Sequence, residues 1–323
     1  MSSQSLVSIL VRSMDRPSLQ RALDSVAAQD YPNVEVVVVS ASTAHRELPD
    51  RCGAFPLRFV KTARPLKRAE AANVALEAAR GDWFNFLDDD DELLPTHVSR
   101  LRAALDAGRG ARLAHALSMD VEMNGTPIGH HGSRFKPWRQ LDTGYFRPHA
   151  AMFASSLLDD GAYFDARFEI LEDMDFFIQC AQRTPFLFVP EATVRSYMDA
   201  GDSGAGRGVN RDDARLEGAI TQLREKWSDL EKRLHASPEF RADHALWLIE
   251  NGGFEEAVPI VVQLLKEDPE SPDGLALRVL QLIARGDVER GRTVLDRIGE
   301  RVPKVDGLAL KMEQVRSRMA TLH

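Results

Sequence analysis

The sequence predicts an α/β domain with a Rossmann-like mixed sheet, followed by a smaller all-α region of helical repeats. Three observations carry this. Val34 to Val39 is a near-continuous valine run, the pattern of a parallel strand buried on both faces. The apolar stretch Trp83-Phe84-Asn85-Phe86-Leu87 ends in four adjacent acids, Asp88-Asp89-Asp90-Asp91, at the end of a strand, where open α/β sheets meet their ligands. The last third of the chain repeats itself with a period of about 34 residues, the mark of stacked helix pairs.

Taken in order, Leu6 to Val11 is short, apolar and β-prone. Pro17 suits a helix's first turn, and Leu19, Ala22, Leu23 and Val26 keep helical spacing, so a helix of roughly four turns precedes the turn Asp30-Tyr31-Pro32-Asn33. With the valine run this makes a strand–helix–strand unit. Ser40-Ala41-Ser42-Thr43 leaves the second strand as a polar loop, and Leu57 to Val60 reads as a third, shorter strand. Arg64-Pro65-Leu66-Lys67-Arg68 is a basic loop, Ala69 to Arg80 an alanine-rich helix, and Gly81 its C′ residue. Asn124 to Gly129 reads as a turn between strands beside His130 and His131. His149 precedes a strand at Ala150 to Phe153. Met174 to Gln182 reads as a helix, and Asp213 to Leu234 as another, with apolar positions Leu216, Ile220, Leu223, Trp227 and Leu230.

A chain of 323 residues suggests about two domains, which we expect at 1–235, with 212–235 as a helical linker, and 236–323. The formal net charge of −8 argues against a general nucleic-acid binder. Two cysteines, Cys52 and Cys180, are too few for a disulfide framework or a four-ligand zinc site and fit buried thiols in a reducing compartment. The first residues carry no basic segment followed by an apolar core, and no stretch reaches the ~18 consecutive apolar residues of a membrane span. The expectation is a cytoplasmic protein, with peripheral attachment to the inner membrane face left open.

The acidic run has two readings. Four neighbouring carboxylates repel one another, and a hard divalent cation, Mn²⁺ or Mg²⁺, would relieve them while holding the phosphate oxygens of a nucleotide. Alternatively the run caps a helix opening at Glu92-Leu93-Leu94-Pro95. Its address at the end of a strand favours the cation, because a cap needs no such place.

Val7 to Val11 with Arg16-Pro17, Ala22 to Val26 and Gln29 to Val36 resembles the opening of family 2 glycosyltransferases of the GT-A fold. Asn73, Ala75 to Asp82 and Phe86-Leu87-Asp88-Asp89-Asp90-Asp91 resemble the family's second block, and Phe164-Asp165 with Glu172 to Phe177 its third. The three blocks, in order, cover about residues 6 to 195. The resemblance implies a GT-A nucleotide-diphospho-sugar transferase domain with a D-x-D motif. Asp88 and Asp90 would be metal ligands, with Asp89 near the donor ribose. Arg12, Met14, Ala41, Arg68, Asp88 and Asp89 would line the nucleotide-sugar site, Arg68 facing the diphosphate. Asp173 takes the place of the catalytic base. The chain also departs from the family: the second strand of many members ends in Asp-Asp, whose second acid reads uracil, and here those positions are Ser40 and Ala41. A UDP donor therefore does not follow from the resemblance.

Several residues keep two readings. Arg64, Lys67 and Arg68 contact phosphate or form a solvated basic loop. Asp173 is a general base or, with Glu172, the acidic first turn of a helix, and the two are compatible. His149 contacts the acceptor or is a satisfied structural histidine; Glu172 shares that acceptor or lid region. The glycine-rich loop Asp199 to Gly208 is a lid bringing Arg207 to phosphate, or an interdomain linker.

In the last third, Phe254-Glu255-Glu256-Ala257 recurs as Val288-Glu289-Arg290-Gly291, and Pro269 as Pro303. Helix pairs near 239–266 and 273–300 and a last helix from about 306, with Arg316 and Arg318 on its polar face, fit a tetratricopeptide-like solenoid. Such a surface binds a protein partner, or only braces its neighbour. The whole predicts a metal-dependent, inverting glycosyltransferase that moves a sugar from a nucleotide-sugar donor to a hydroxyl of a glycan or protein. Its rivals are a partner-binding scaffold with a decayed transferase domain and a nucleotidyltransferase, which would want a glycine-rich phosphate loop where Arg12-Ser13-Met14-Asp15 stands.

Overall fold

A computed structural model of the chain describes residues 4–108, 110–136, 141, 145–198, 212–305 and 307–320. The chain divides into two compact units, Met1–Lys136 with Asp142–Lys226, and Pro137–Leu141 with Trp227–His323.

The first unit is built on a ten-stranded mixed sheet. Its strands are β1 (Val7–Ser13), β2 (Val34–Ser40), β3 (Arg51–Cys52), β4 (Phe55–Val60), β5 (Trp83–Asp88), β6 (Glu92–Leu93), β7 (Leu113–Val121), β8 (Pro127–His131), β9 (Ala151–Ala154) and β10 (Phe186–Tyr197). They lie in the order β3-β4-β2-β1-β5-β9-β7-β10-β6, with β8 on β7. β1, β2, β4 and β5 pair in parallel, as do β7 and β10, while β9 runs antiparallel between β5 and β7. The carboxyl ends of β1, β2, β5, β7 and β10 therefore share one edge with the amino end of β9.

The valine run of β2 is buried along its whole length, as its two-sided apolar pattern requires. Helices α1 (Leu19–Ala27), α2 (Arg68–Ala78), α3 (His97–Ala107), α4 (Ser156–Asp159), α5 (Glu172–Ala181) and α6 (Asp213–Lys226) belong to this unit. α1 buries Leu19, Ala22, Leu23 and Val26, the positions its spacing marked, but it is nine residues long, shorter than the four turns expected.

Three local expectations are corrected. Glu92-Leu93 is a strand, not a helix start: it pairs with Arg195 and Val194 of β10, the residue before Pro95 is biased away from helical geometry, and α3 begins only at His97. Gly81 is not a left-handed helix cap. It is glycine because a Cβ there would meet Ser8 Oγ at 2.6 Å and Leu6 O at 2.9 Å, where the chain passes tightly under β1. The helix expected over 213–234 breaks at Trp227 into α6 and α7 (Ser228–Ala236). Periodicity could not reveal the break, since apolar spacing continues through it at Leu223, Leu230 and Leu234.

Two histidines sit wholly inside this unit. His97 lies between Thr193 Oγ1 and Asn85 Oδ1, each 2.8 Å from a ring nitrogen. His115 stacks on Phe146 with centroids 4.4 Å apart, and neither of its ring nitrogens has a hydrogen-bond partner among the described residues. Burial pushes both rings down to about 3. An unfolded histidine titrates near 6.5, so below that pH the unfolded chain binds protons that the folded chain refuses. The stabilisation is complete above pH 6.5 and is lost as pH falls toward 3, by about 2 kcal/mol per histidine at pH 5. Urea midpoints at pH 7.5 and 5.0 should separate accordingly, and His115→Phe should shrink that separation. An unchanged separation would exclude His115 as a source.

The second unit holds α7 and the helix pairs α8 (Pro238–Glu250) with α9 (Phe254–Glu267) and α10 (Pro272–Ala284) with α11 (Val288–Ile298), then α12 (Leu308–Ala320). Ser237-Pro238 and Ser271-Pro272 open the first helix of each pair alike, the serine hydroxyl accepting from Phe240 N and Gly274 N respectively and the proline in the first turn. Its core runs from Ala242, Leu246 and Val261 through Leu275 and Val279 to Leu308 and Met312.

Candidate active site

The carboxyl edge of the sheet gathers the titratable groups. Asp88 is the last residue of β5, and the chain turns at once, with Asp91 N donating to Asp88 O at 3.2 Å. Such a turn sets residues i and i+3 side by side, so Asp88 and Asp91 are neighbours while Asp89 and Asp90 point elsewhere.

Arg12, near the end of β1, joins two otherwise distant segments. Its Nη2 is 2.7 Å from Asp88 Oδ1 and its Nη1 2.8 Å from Glu172 Oε1 at the start of α5. Burial opposes the charge on Arg12, but the two carboxylates outweigh it and hold the guanidinium well above its ordinary value. Burial likewise opposes charge on Asp88, yet Arg12 and Arg68 bring it down to about 2.

Asp89 is fully buried and turned into the loop after β1. Its carboxylate accepts from Ser13 Oγ at 3.0 Å, Met14 N at 2.7 Å and Arg16 Nη1 at 2.6 Å. The side chain expected beside a ribose is thus an anchor of the 13–16 loop, and Met14 offers that loop's exposed side chain. Asp90 is partly covered, and burial with the charges of Asp91 and Asp88 pushes it far above the usual carboxylate range. Asp91 is pushed up likewise, by burial and Asp88. It caps no helix: it accepts from Tyr197 N at 2.9 Å.

His149 reaches the same edge because β9, which follows it, runs backwards. Its Nδ1 lies 3.2 Å from Asp91 Oδ2, out of line for a hydrogen bond, and has no hydrogen-bond partner among the described residues. Asp88, Asp91 and His149 each offer an atom within 4.8 Å of the others'. A buried ring nitrogen without a partner beside carboxylates that repel each other fits a divalent cation. Of the expected pair, Asp88 belongs to this group and Asp90 does not.

Glu172 and Asp173 begin α5 behind Leu171, which adopts φ 63°. A left-handed conformation is costly for leucine and marks a fixed, strained helix entry. Glu172 is buried and paired with Arg12, which makes it part of the framework rather than of a lid. Asp173 is half-buried; burial and then Glu172 raise its carboxyl to about 6. Arg68 opens α2, and its charge pulls both Asp88 and Asp173 down. The other two basic residues of that loop turn to carboxylates: Arg64 pairs with Glu70 and Lys67 with Glu169. Ala41 is buried, its N–H donating to Ser13 O and its carbonyl accepting from Leu66 N. Arg207 lies outside the described residues.

Two supports escaped the sequence. Lys226 of α6 places its ammonium 2.8 Å from both Asp165 and Asp175, fastening α5 from the far end of the unit. His45 holds Ser13 Oγ at 2.9 Å and packs on Phe59, so the loop after β2 braces the one after β1. Neither has a local signal, since Lys226 is at least 51 positions from its carboxylates and His45 is 32 from Ser13. Asn73 had one, its place in the second block, and it binds Phe164 N and O through both ends of its amide.

The sequence model of the glycosyl transferase family 2 matches residues 8–161. Among curated proteins, the uncharacterized glycosyltransferase YwdF of Bacillus subtilis is 24% identical over 207 residues, 61% of this chain and 76% of that one. The succinoglycan biosynthesis protein ExoO of Rhizobium meliloti is 35% identical over 100 residues, 30% of this chain and 28% of that one. Among solved structures, S. aureus TarS 1–349 in complex with UDP-GlcNAc superposes with a TM-score of 0.53 at 16% identity, over 94% of this chain and 95% of that chain. At that identity the likeness is one of fold, and the fold is GT-A.

Proposed function

We propose that this glycosyltransferase, whose residues 8–161 belong to family 2, moves a sugar from a nucleotide-sugar donor to an acceptor hydroxyl with inversion at the anomeric carbon. The observation that carries the reading is the Arg12 bridge, which makes the acids at the end of β5 and those at the start of α5 one constellation.

The half-buried Asp173 carboxylate takes the proton of the acceptor hydroxyl as its oxygen bonds to the anomeric carbon. The bond from that carbon to the diphosphate oxygen breaks, and its electron pair leaves with the nucleoside diphosphate. Because acceptor and leaving group occupy opposite faces, a single displacement inverts the centre. Arg68 is the cation of the basic loop that faces this charge, and it would donate to the diphosphate. Asp88, common to the motif and to the geometric group, would hold a divalent cation, Mn²⁺ or Mg²⁺, whose chemistry is to neutralise negative charge on the diphosphate. Asp89 serves by keeping the 13–16 loop against the donor edge.

Hydrolysis of a panel of UDP-, GDP-, dTDP- and CMP-linked sugars with Mn²⁺ tests the reading. At least one donor should turn over, chelation with EDTA should stop it, and Asp88→Ala should lower it by about 10² or more. No turnover and no nucleotide binding across the panel would overturn the proposal.

A further inference from the structure

The pair of ligands read from the motif, Asp88 and Asp90, leaves unexplained a histidine that the fold buries beside them. His149 is 2% exposed, and its two ring nitrogens differ. Nε2 lies 2.7 Å from Ser196 Oγ, which is 2.8 Å from Ser118 Oγ, and Ser118 in turn reaches Asp120 Oδ1 at 3.5 Å. Asp120 is a hydrogen-bond acceptor when ionised, so the chain has a direction: Ser118 donates to Asp120, Ser196 to Ser118, and His149 Nε2–H to Ser196. With the proton on Nε2, donating to Ser196, Nδ1 carries the lone pair.

The backbone is held as well. Asn85, wholly buried in the middle of β5, donates to His149 O at 3.1 Å, and its own oxygen is 2.8 Å from His97 Nε2. Ring and backbone are therefore both held, with a bare nitrogen beside Asp91 Oδ2 and within reach of Asp88. A ring whose far N–H is taken up by a hydrogen bond, leaving the near nitrogen free beside carboxylates, is how proteins prepare a histidine to bind metal.

Resting on the metal-dependent reading above, we propose that the cation is held by Asp88, Asp91 and His149 Nδ1, with Ser196 as the positioning residue that sets the tautomer. The donor set of two carboxylates and one imidazole fixes the class of ion. Imidazole suits Fe²⁺, Ni²⁺ and Zn²⁺, whereas Mg²⁺ and Ca²⁺ prefer oxygen alone; Mn²⁺ is hard enough for the two carboxylates and, as a first-row ion, also accepts an imidazole. The site therefore favours first-row divalent ions, Mn²⁺ among them, over Mg²⁺.

Pulsed electron paramagnetic resonance on the full chain tests this with two nitrogen-free probes, Mn²⁺ alone and Mn²⁺ with inorganic pyrophosphate. The expected result is a ¹⁴N coupling to bound Mn²⁺ that vanishes in His149→Gln, with Mn²⁺ affinity at least tenfold weaker in that variant. Ser196→Ala keeps the ligand but frees the ring, and it should weaken Mn²⁺ binding about tenfold while retaining the coupling. Melting temperatures in EDTA show whether each variant folds; should His149→Gln not fold, wild type and Ser196→Ala decide. Mn²⁺ bound to wild type without nitrogen coupling would overturn the histidine ligand and leave a carboxylate site including Asp90. No Mn²⁺ bound under either condition would overturn the metal-dependent reading itself.

Discussion

Replacing Asp173 by asparagine should lower kcat by about 10²–10⁴-fold while leaving donor affinity within a few-fold of wild type. Asparagine keeps the shape and can still accept from Met174 N, as Asp173 does at 2.8 Å, so α5 retains its first turn. What it cannot do is take a proton. The acidic limb of the wild-type rate profile carries the same information. Burial and then Glu172 hold the Asp173 carboxyl at about 6, so the carboxylate fraction, and with it the rate, falls about tenfold per pH unit below that value and levels off above it. Glu172→Gln, by removing the neighbouring charge, should move the limb to lower pH. Steady-state kinetics and donor titration calorimetry separate the two effects. A loss of donor binding equal to the loss of rate in Asp173→Asn would assign the residue to binding instead.

Arg12→Leu should be the most destabilising single change at the site. The guanidinium neutralises Asp88 and a Glu172 side chain that is 3% exposed, and without it a buried carboxylate stands alone. Breaking a buried pair from one side costs about 3–5 kcal/mol, which for a unit of this size lowers Tm by about 10 °C. Adding Glu172→Gln removes the orphaned charge and should restore a sizeable part of the loss, because the cost lies in the unpaired anion more than in the missing contact. Calorimetric melting of the two variants checks this. A double variant no more stable than Arg12→Leu would place the damage elsewhere, in lost support for Phe86, whose ring lies 5.7 Å beneath the guanidinium.

Most of the architecture was legible because it rests on period and punctuation. The valine run, the apolar strand before Asp88 and the recurring segments at Phe254 and Val288 are local patterns, and each became the expected element. The acids of the site were legible for the same reason, as they stand in line in the sequence. Their division of labour was not. Whether Asp89 turns toward the loop after β1 and Asp91 toward His149 depends on a four-residue turn whose hydrogen bond joins Asp88 and Asp91, and composition does not encode that direction. The roles of Arg12, Lys226 and His149 were hidden more deeply, since each meets its partner across 50 to 160 residues of chain. Sequence distance erases such pairs; only the strand order restores them.

That order has a consequence for how the enzyme can change. The acids after β5 and the loop after β1 grow out of the parallel half of the sheet, whose crossovers fix them together. The imidazole instead enters at the head of a strand laid in reverse, from a single 3-10 turn at Pro148–Ala150. It is a separable module. Exchanging that turn would change the imidazole while leaving the loop after β1 in place, whereas changing the segment after β5 would alter the acids beside the imidazole as well. Side chains that meet within 4.8 Å thus lie on two segments of chain that can vary separately.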